Sequence, residues 1–210
     1  VNPADNPIWA EGPHIYKVGD WHYLLAAEGG TADQHSQTIY RSRAITGPFE
    51  PGPVNPILTQ RDMPAGRANR VEATGHADFV QLDDGSWWSV FLATRPFAGQ
   101  DTLLGRETFL LPVEWSDGWP VSLDQGGPVP LTAPRPPLDP SPGTDFDSWR
   151  EEFTAARLGP EWLRIRNVPH VQNMALEGGA LLLAPPGIDL GEGATPSFAG
   201  QRLRHHAATF

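Results

Sequence analysis

Three stretches of the chain share one alternation. Residues 13–28, PHIYKVGDWHYLLAAE, set apolar runs on either side of a Gly-Asp pair, and the second run opens on Trp21. Residues 76–95, HADFVQLDDGSWWSVFLATR, repeat the arrangement around Asp83-Asp84-Gly85, with Trp87 in the place of Trp21. Residues 109–121, FLLPVEWSDGWPV, give a weaker third copy that turns at Asp117-Gly118. An apolar run, a tight Gly/Asp turn and a second apolar run predict a β-hairpin, because such turns need backbone conformations that these residues tolerate. Residues 38–44, TIYRSRA, alternate as an outer strand would. Hairpins recurring at such intervals predict propeller blades or a β-sandwich. Helical periodicity is poor, so residues 1–131 read as all-β.

The texture changes after residue 131. Residues 132–145, TAPRPPLDPSPGTD, hold five prolines and two acids with almost nothing to bury, which predicts a stiff, extended linker. Residues 146–210 follow with a pattern of their own. FDSWREEFTAARLGPEWLRIRN predicts a short helical stretch around 149–157, and ALEGGALLLAPP a hairpin with a Gly-Gly turn. This part has too few strands for a complete sandwich. Both ends read as cut: VNPADNP resembles the middle of something longer, and HHAATF closes no pattern.

Composition narrows the classes. Hydrophobic residues at 39% and charged residues at 19% describe a globular chain, and its 22 Gly and 23 Pro favour short strands and many turns over long helices. Eight Trp suit an all-β protein with aromatic platforms. A net charge of −10 argues against nucleic acid, since nothing here would neutralise a row of phosphates. No apolar run reaches the ~18 residues that a membrane-spanning helix needs. With no cysteine, disulfides, thiolate metal sites and cysteine nucleophiles all drop out. No signal-peptide pattern is visible, and the expected location is cytoplasmic.

Three short motifs offer chemistry: AEGPH at 10–14, TGHAD at 74–78 and LGRET at 104–108. In each, a polar side chain stands beside a glycine, which lets the backbone approach a ligand or take a strained turn. All three precede or begin a strand of the repeated unit. Where such strand starts converge, Glu11, His76 and Arg106 meet. Taken singly, Glu11 reads as an exposed turn carboxylate, His76 as a half-buried strand-bridging histidine and Arg106 as an ion-pair partner of Glu107 or Glu114. Together, an acid, an imidazole and a guanidinium are the parts of a site for a neutral, hydroxyl-rich substrate. His205 and His206, adjacent in an extended segment, face opposite ways and do not share an ion. Asp83 and Asp84 read as a turn, Glu151 and Glu152 as a solvated face.

EGPHIYK, YLLAAEGGT followed by HS, AITGPFE, NPILT, TGHADFVQLDDGSWWSVFLATRP and LGRETFLLPVEW resemble the family 43 glycoside hydrolases, in their β-xylosidase branch. The likeness runs from about Trp9 to Val121. DFDSW, LGPEWLRIRN and FAGQRLRHH resemble the concanavalin A-like β-sandwich that follows the propeller in that branch. The resemblance implies part of a five-bladed β-propeller over 1–131, the linker, and an incomplete β-sandwich over 146–210. It also implies inverting hydrolysis of terminal xylosyl or arabinosyl residues from xylo-oligosaccharides or arabinosides. Glu11 matches the general acid, and Arg106, His76 and Thr31 match residues that shape the sugar site. His76 further matches a histidine that in some members helps to hold a calcium ion through water; no cofactor is required.

The resemblance also implies a general base and a second, tuning aspartate, both upstream of residue 1. Asp5 is the one acid ahead of Glu11, and its context matches neither motif. Part of a propeller exposes apolar faces and unpaired edges, which predicts a homo-oligomer or a missing upstream segment. The competing reading is a catalytically inactive carbohydrate-binding or scaffold fragment. A lectin-like propeller fits less well, having no need of an E-G-P acid alongside G-R-E-T.

Overall fold

The computed structural model describes residues 9–97, 102–124, 127–139, 150–166 and 173–204. These residues form β-strands, turns and irregular segments, with no helix among them. The chain divides into two compact units, Val1–Leu138 and Asp139–Phe210, and the division falls inside the proline-rich stretch.

Two antiparallel sheets build the first unit. One contains β1 (Glu11–Val18), β2 (Trp21–Glu28), β3 (Ser36–Ser42) and β4 (Glu50–Pro51) in that order, with β5 (Leu58–Thr59) also paired to β3. The other contains β6 (Glu72–Gln81), β7 (Trp87–Thr94), β8 (Arg106–Ser116) and β9 (Trp119–Val121), again in sequence order. The three hairpins sit where the Gly/Asp turns predicted them, as β1-β2, β6-β7 and β8-β9. β3 differs from the expectation for residues 38–44: it is an inner strand, not an outer one. It lies between β2 and the β4/β5 segment, and six of its seven residues are buried. Between β4 and β5, the Asn55 amide replaces a strand partner. It donates to the Ile39 carbonyl and accepts from the Ile39 N–H, both at 3.0 Å.

β6 lies across the first sheet, against β1, β2, β3 and β5. The core forms where the two sheets meet, from Tyr23, Leu25, Ile39, Leu58, Val71, Phe79, Phe91, Leu111 and Val113 with their neighbours. The tryptophans are mostly structural. Trp87 packs edge-on against Tyr16 and Trp115, Trp88 is 5% exposed, and Trp21 and Trp119 both stack on the Arg41 guanidinium at 4.2 Å.

The seam between β1 and β6 is polar as well as apolar. The Tyr16 hydroxyl donates to the Asp78 carboxylate and accepts from the Phe79 N–H at 2.9 Å. Burial, then the bond to Asp78, pushes the Tyr16 phenol well above its usual range, so it stays a donor at any ordinary pH. Tyr16→Phe leaves the Phe79 N–H without its acceptor in the core. Losing a buried partner costs about 1–3 kcal/mol, and urea unfolding should report a loss of that size.

Among its described residues the second unit carries one hairpin, β10 (Met174–Glu177) and β11 (Ala180–Leu183), turning at Gly178-Gly179 as the sequence predicts. Both glycines have positive φ, 61° and 73°, the requirement of a tight two-residue hairpin turn. The helix expected around 149–157 does not form over its described residues, 150–157. Phe153 takes a left-handed φ of 51°, and the Glu151 carboxylate accepts its N–H at 2.9 Å. That local bond competes with helical pairing, and a stretch of about nine residues is too short to nucleate a helix unaided. Glu152 pairs with Arg150 at 2.6 Å. His205 and His206 lie outside the described residues.

Candidate active site

The first strands of the two sheets are both irregular, and the irregularities fall on the polar motifs. Pairing of β1 with β2 slips between Glu11 and His14; pairing of β6 with β7 slips between Glu72 and Gly75 and again between Gly75 and Asp78. A bulge breaks the two-residue alternation and re-aims side chains, which is why bulges collect beside functional sites. Gly12, Ala73 and His76 take positive φ values of 54°, 50° and 53° within these segments.

The result is a meeting of Glu11 and His76. The Glu11 Oε1 lies 3.6 Å from His76 Nδ1, slightly long for a hydrogen bond. Both side chains are open to solvent, at 47% and 39% exposure, as groups meeting a ligand must be. The glycines have a specific task. A Cβ on Gly12 would stand 2.5 Å from His76 Nε2, so the bare backbone of the E-G-P turn is what admits the imidazole. A Cβ on Gly75 would stand 2.8 Å from the ring of a second histidine, His35. Glycine therefore serves here to seat histidine rings, which the sequence expectation of a close ligand approach did not anticipate.

His35 is the site neighbour that the sequence did not single out. It is 1% exposed, its Nδ1 lies 2.8 Å from the Ala73 carbonyl, and its ring meets that of His76 edge to face at 6.5 Å between centroids. Burial holds its pKa below the ordinary imidazole value, and the charges of His76 and Arg106 act in the same direction. A neutral ring bonded to a carbonyl must carry its proton on Nδ1. The one available signal was its place in EGGT followed by HS, at the start of a strand.

Arg106 opens β8 opposite Thr94, exposed, and the field of its charge reaches His35 along with those of Glu11 and His76. Neither of the ion pairs considered for it forms. Arg95 takes the Glu107 carboxylate at 2.9 Å, and Arg106 has no ion-pair partner among the described residues. Thr31 sits exposed in the β2–β3 loop beside Gly30, and a Cβ on Gly30 would touch the Trp9 ring at 2.8 Å. The structure thus brings Glu11 and His76 into contact, and shows no contact of Thr31 with either. Asp84 makes a turn contact, accepting from the Ser86 N–H and hydroxyl at 2.9 and 2.7 Å. Asp5 lies outside the described residues.

Calcium takes about six to eight oxygen ligands, and the groups gathered here are one carboxylate and two imidazoles, so an ion beside His76 would draw most of its oxygens from water. Among the described residues no three His, Cys, Asp or Glu side chains are grouped to hold a metal.

A carboxylate and an imidazole thus meet where bulges interrupt the first strands of two meandering antiparallel sheets. The sequence profile of Glycosyl hydrolases family 43 matches residues 2–120, and the chain belongs to that family. It is 44% identical over 194 residues to a non-reducing end α-L-arabinofuranosidase of Bacteroides ovatus, covering 91% of this chain and 36% of that protein. It is 39% identical over 137 residues to a β-xylosidase of Bacillus subtilis, covering 60% of this chain and 25% of that one. Among solved structures, the family 43 protein BlXynB of Bacillus licheniformis superposes with a TM-score of 0.82 at 37% identity, over 94% of this chain and 38% of its own. The chain spans about a third of the length of these relatives.

Proposed function

We propose that this chain is the acid-bearing part of an inverting glycoside hydrolase that removes terminal xylosyl or arabinosyl residues. The observation that carries the reading is the meeting of Glu11 and His76, distant in sequence and 3.6 Å apart, at bulges in a family 43 chain. In this reading Glu11 gives its proton to the glycosidic oxygen as the bond breaks. A second carboxylate activates water on the opposite face of the sugar, the two carboxyls standing ~6.5–9.5 Å apart to admit it. His76 orients Glu11, Arg106 holds sugar oxygens and Thr31 lines the pocket. The names of the relatives support a xylosyl or arabinosyl substrate. The architecture proposed is part of a five-bladed propeller followed by the start of a sandwich. The outer face of the second sheet, with Val80, Val90 and Leu110 at 44%, 36% and 38% exposure, supports its association with a further apolar surface.

A second reading is an inactive carbohydrate-binding or scaffold fragment. The test is turnover, by the full polypeptide that carries the second carboxylate, of 4-nitrophenyl β-D-xylopyranoside and 4-nitrophenyl α-L-arabinofuranoside. Hydrolysis of either, with the first-formed sugar inverted by NMR, is the expected result. Binding of xylobiose without turnover of any glycoside would support the fragment reading instead.

A further inference from the structure

The irregular pairing of β6 raises a question of backbone bookkeeping. Where β6 leaves the register of β7, between Glu72 and Asp78, its peptide groups lose regular strand partners, and buried peptide groups need replacements. Two side chains of β3 and its approach supply them. His35 Nδ1 donates to the Ala73 carbonyl at 2.8 Å, and Gln37 Oε1 accepts the Ala77 N–H at 2.7 Å. These contacts fall on either side of Gly75 and His76. Both side chains are themselves held in place. His35 and Gln37 are 1% and 0% exposed. The His35 N–H bonds the Ala32 carbonyl at 2.9 Å, and its carbonyl accepts the Thr59 hydroxyl at 3.1 Å. The His35 ring also fills the space above Gly75, so the segment has no freedom to close toward β3.

We infer that His35 and Gln37 are positioning residues: they clamp Ala73 and Ala77 and so fix the left-handed His76 backbone that holds its imidazole against Glu11. The inference rests on the reading of Glu11 as the acid. It adds two buried side chains that do not touch the sugar and act through His76. A hydrogen bond from Nδ1 is the function that matters in His35, and an asparagine amide reproduces that atom's reach. Gln37→Met keeps the shape of the side chain and removes the acceptor.

The test compares xylobiose, whose leaving sugar must be protonated, with 2,4-dinitrophenyl β-D-xylopyranoside, whose leaving group need not be. Measurements use the full polypeptide. His35→Ala and Gln37→Met are expected to lower kcat on xylobiose by roughly 10²-fold, the effect of an ångström-scale misplacement, with KM and the dinitrophenyl rate little changed. His35→Asn is expected to restore most of the xylobiose rate. Equal losses on both substrates in folded variants would overturn the inference, because a general structural defect does not discriminate between leaving groups. A folded His35→Asn protein as impaired as His35→Ala would also overturn it. Glu11→Gln runs alongside: if it shows no leaving-group selectivity, the acid reading itself fails, and the inference falls with it.

Discussion

Glu11→Gln is expected to lower kcat on xylobiose by about 10²–10⁴, the usual contribution of a positioned acid or base. The amide keeps the size of the side chain and its place beside His76, so KM should change little. What disappears is the proton. A sugar leaving group needs that proton as the glycosidic bond breaks, whereas a dinitrophenolate departs without it. The loss should therefore be large for xylobiose and small for the dinitrophenyl xyloside, a contrast that unfolding or lost binding would not give. Steady-state kinetics on the two substrates check it.

Phe91→Ala should produce the largest loss of stability. Phe91 is 2% exposed on β7, stacked on Phe109 of β8 at 5.6 Å between centroids, in the layer where the two sheets meet. Removing a buried phenyl ring forfeits its transfer free energy and leaves a void that close-packed neighbours fill only in part. Such truncations cost ~3–5 kcal/mol, against a total stability of about 5–15 kcal/mol for a domain. Urea unfolding monitored by tryptophan fluorescence should show the midpoint fall sharply. The Glu11–His76 contact depends on β6 resting against the first sheet, so this distant change should also reduce turnover before it unfolds the protein.

The hairpins were legible because their turns are local. Gly19-Asp20, Asp84-Gly85, Asp117-Gly118 and Gly178-Gly179 state the reversal in two or three residues, with no help from the rest of the chain. β3 was misread because its second edge is completed by the Asn55 side chain and two very short strands, none of which has a strand-like pattern. The helix expected near 149–157 failed for the opposite reason. The residues suit a helix, but Glu151 bonds the chain locally at Phe153. Tertiary and side-chain contacts overrode weak propensities in both cases.

The site was legible as far as its glycines reach. Gly12 and Gly75 flag Glu11 and His76, because each marks a place where no side chain fits. His35 and Gln37 carry no such flag. Their partners, Ala73 and Ala77, lie 38 and 40 residues away and are joined to them only by the packing of β6 across β3. Spacing along one sequence does not contain that contact.

The account turns on Glu11 facing a glycosidic oxygen, and a crystal structure of the Glu11→Gln protein with xylobiose measures that directly. The prediction is a glycosidic oxygen within about 2.6–3.2 Å of the side chain at position 11, with His76 beside it and the sugar reaching toward Arg106. Xylobiose bound elsewhere, or bound with the side chain at position 11 turned away from the glycosidic oxygen, would contradict it.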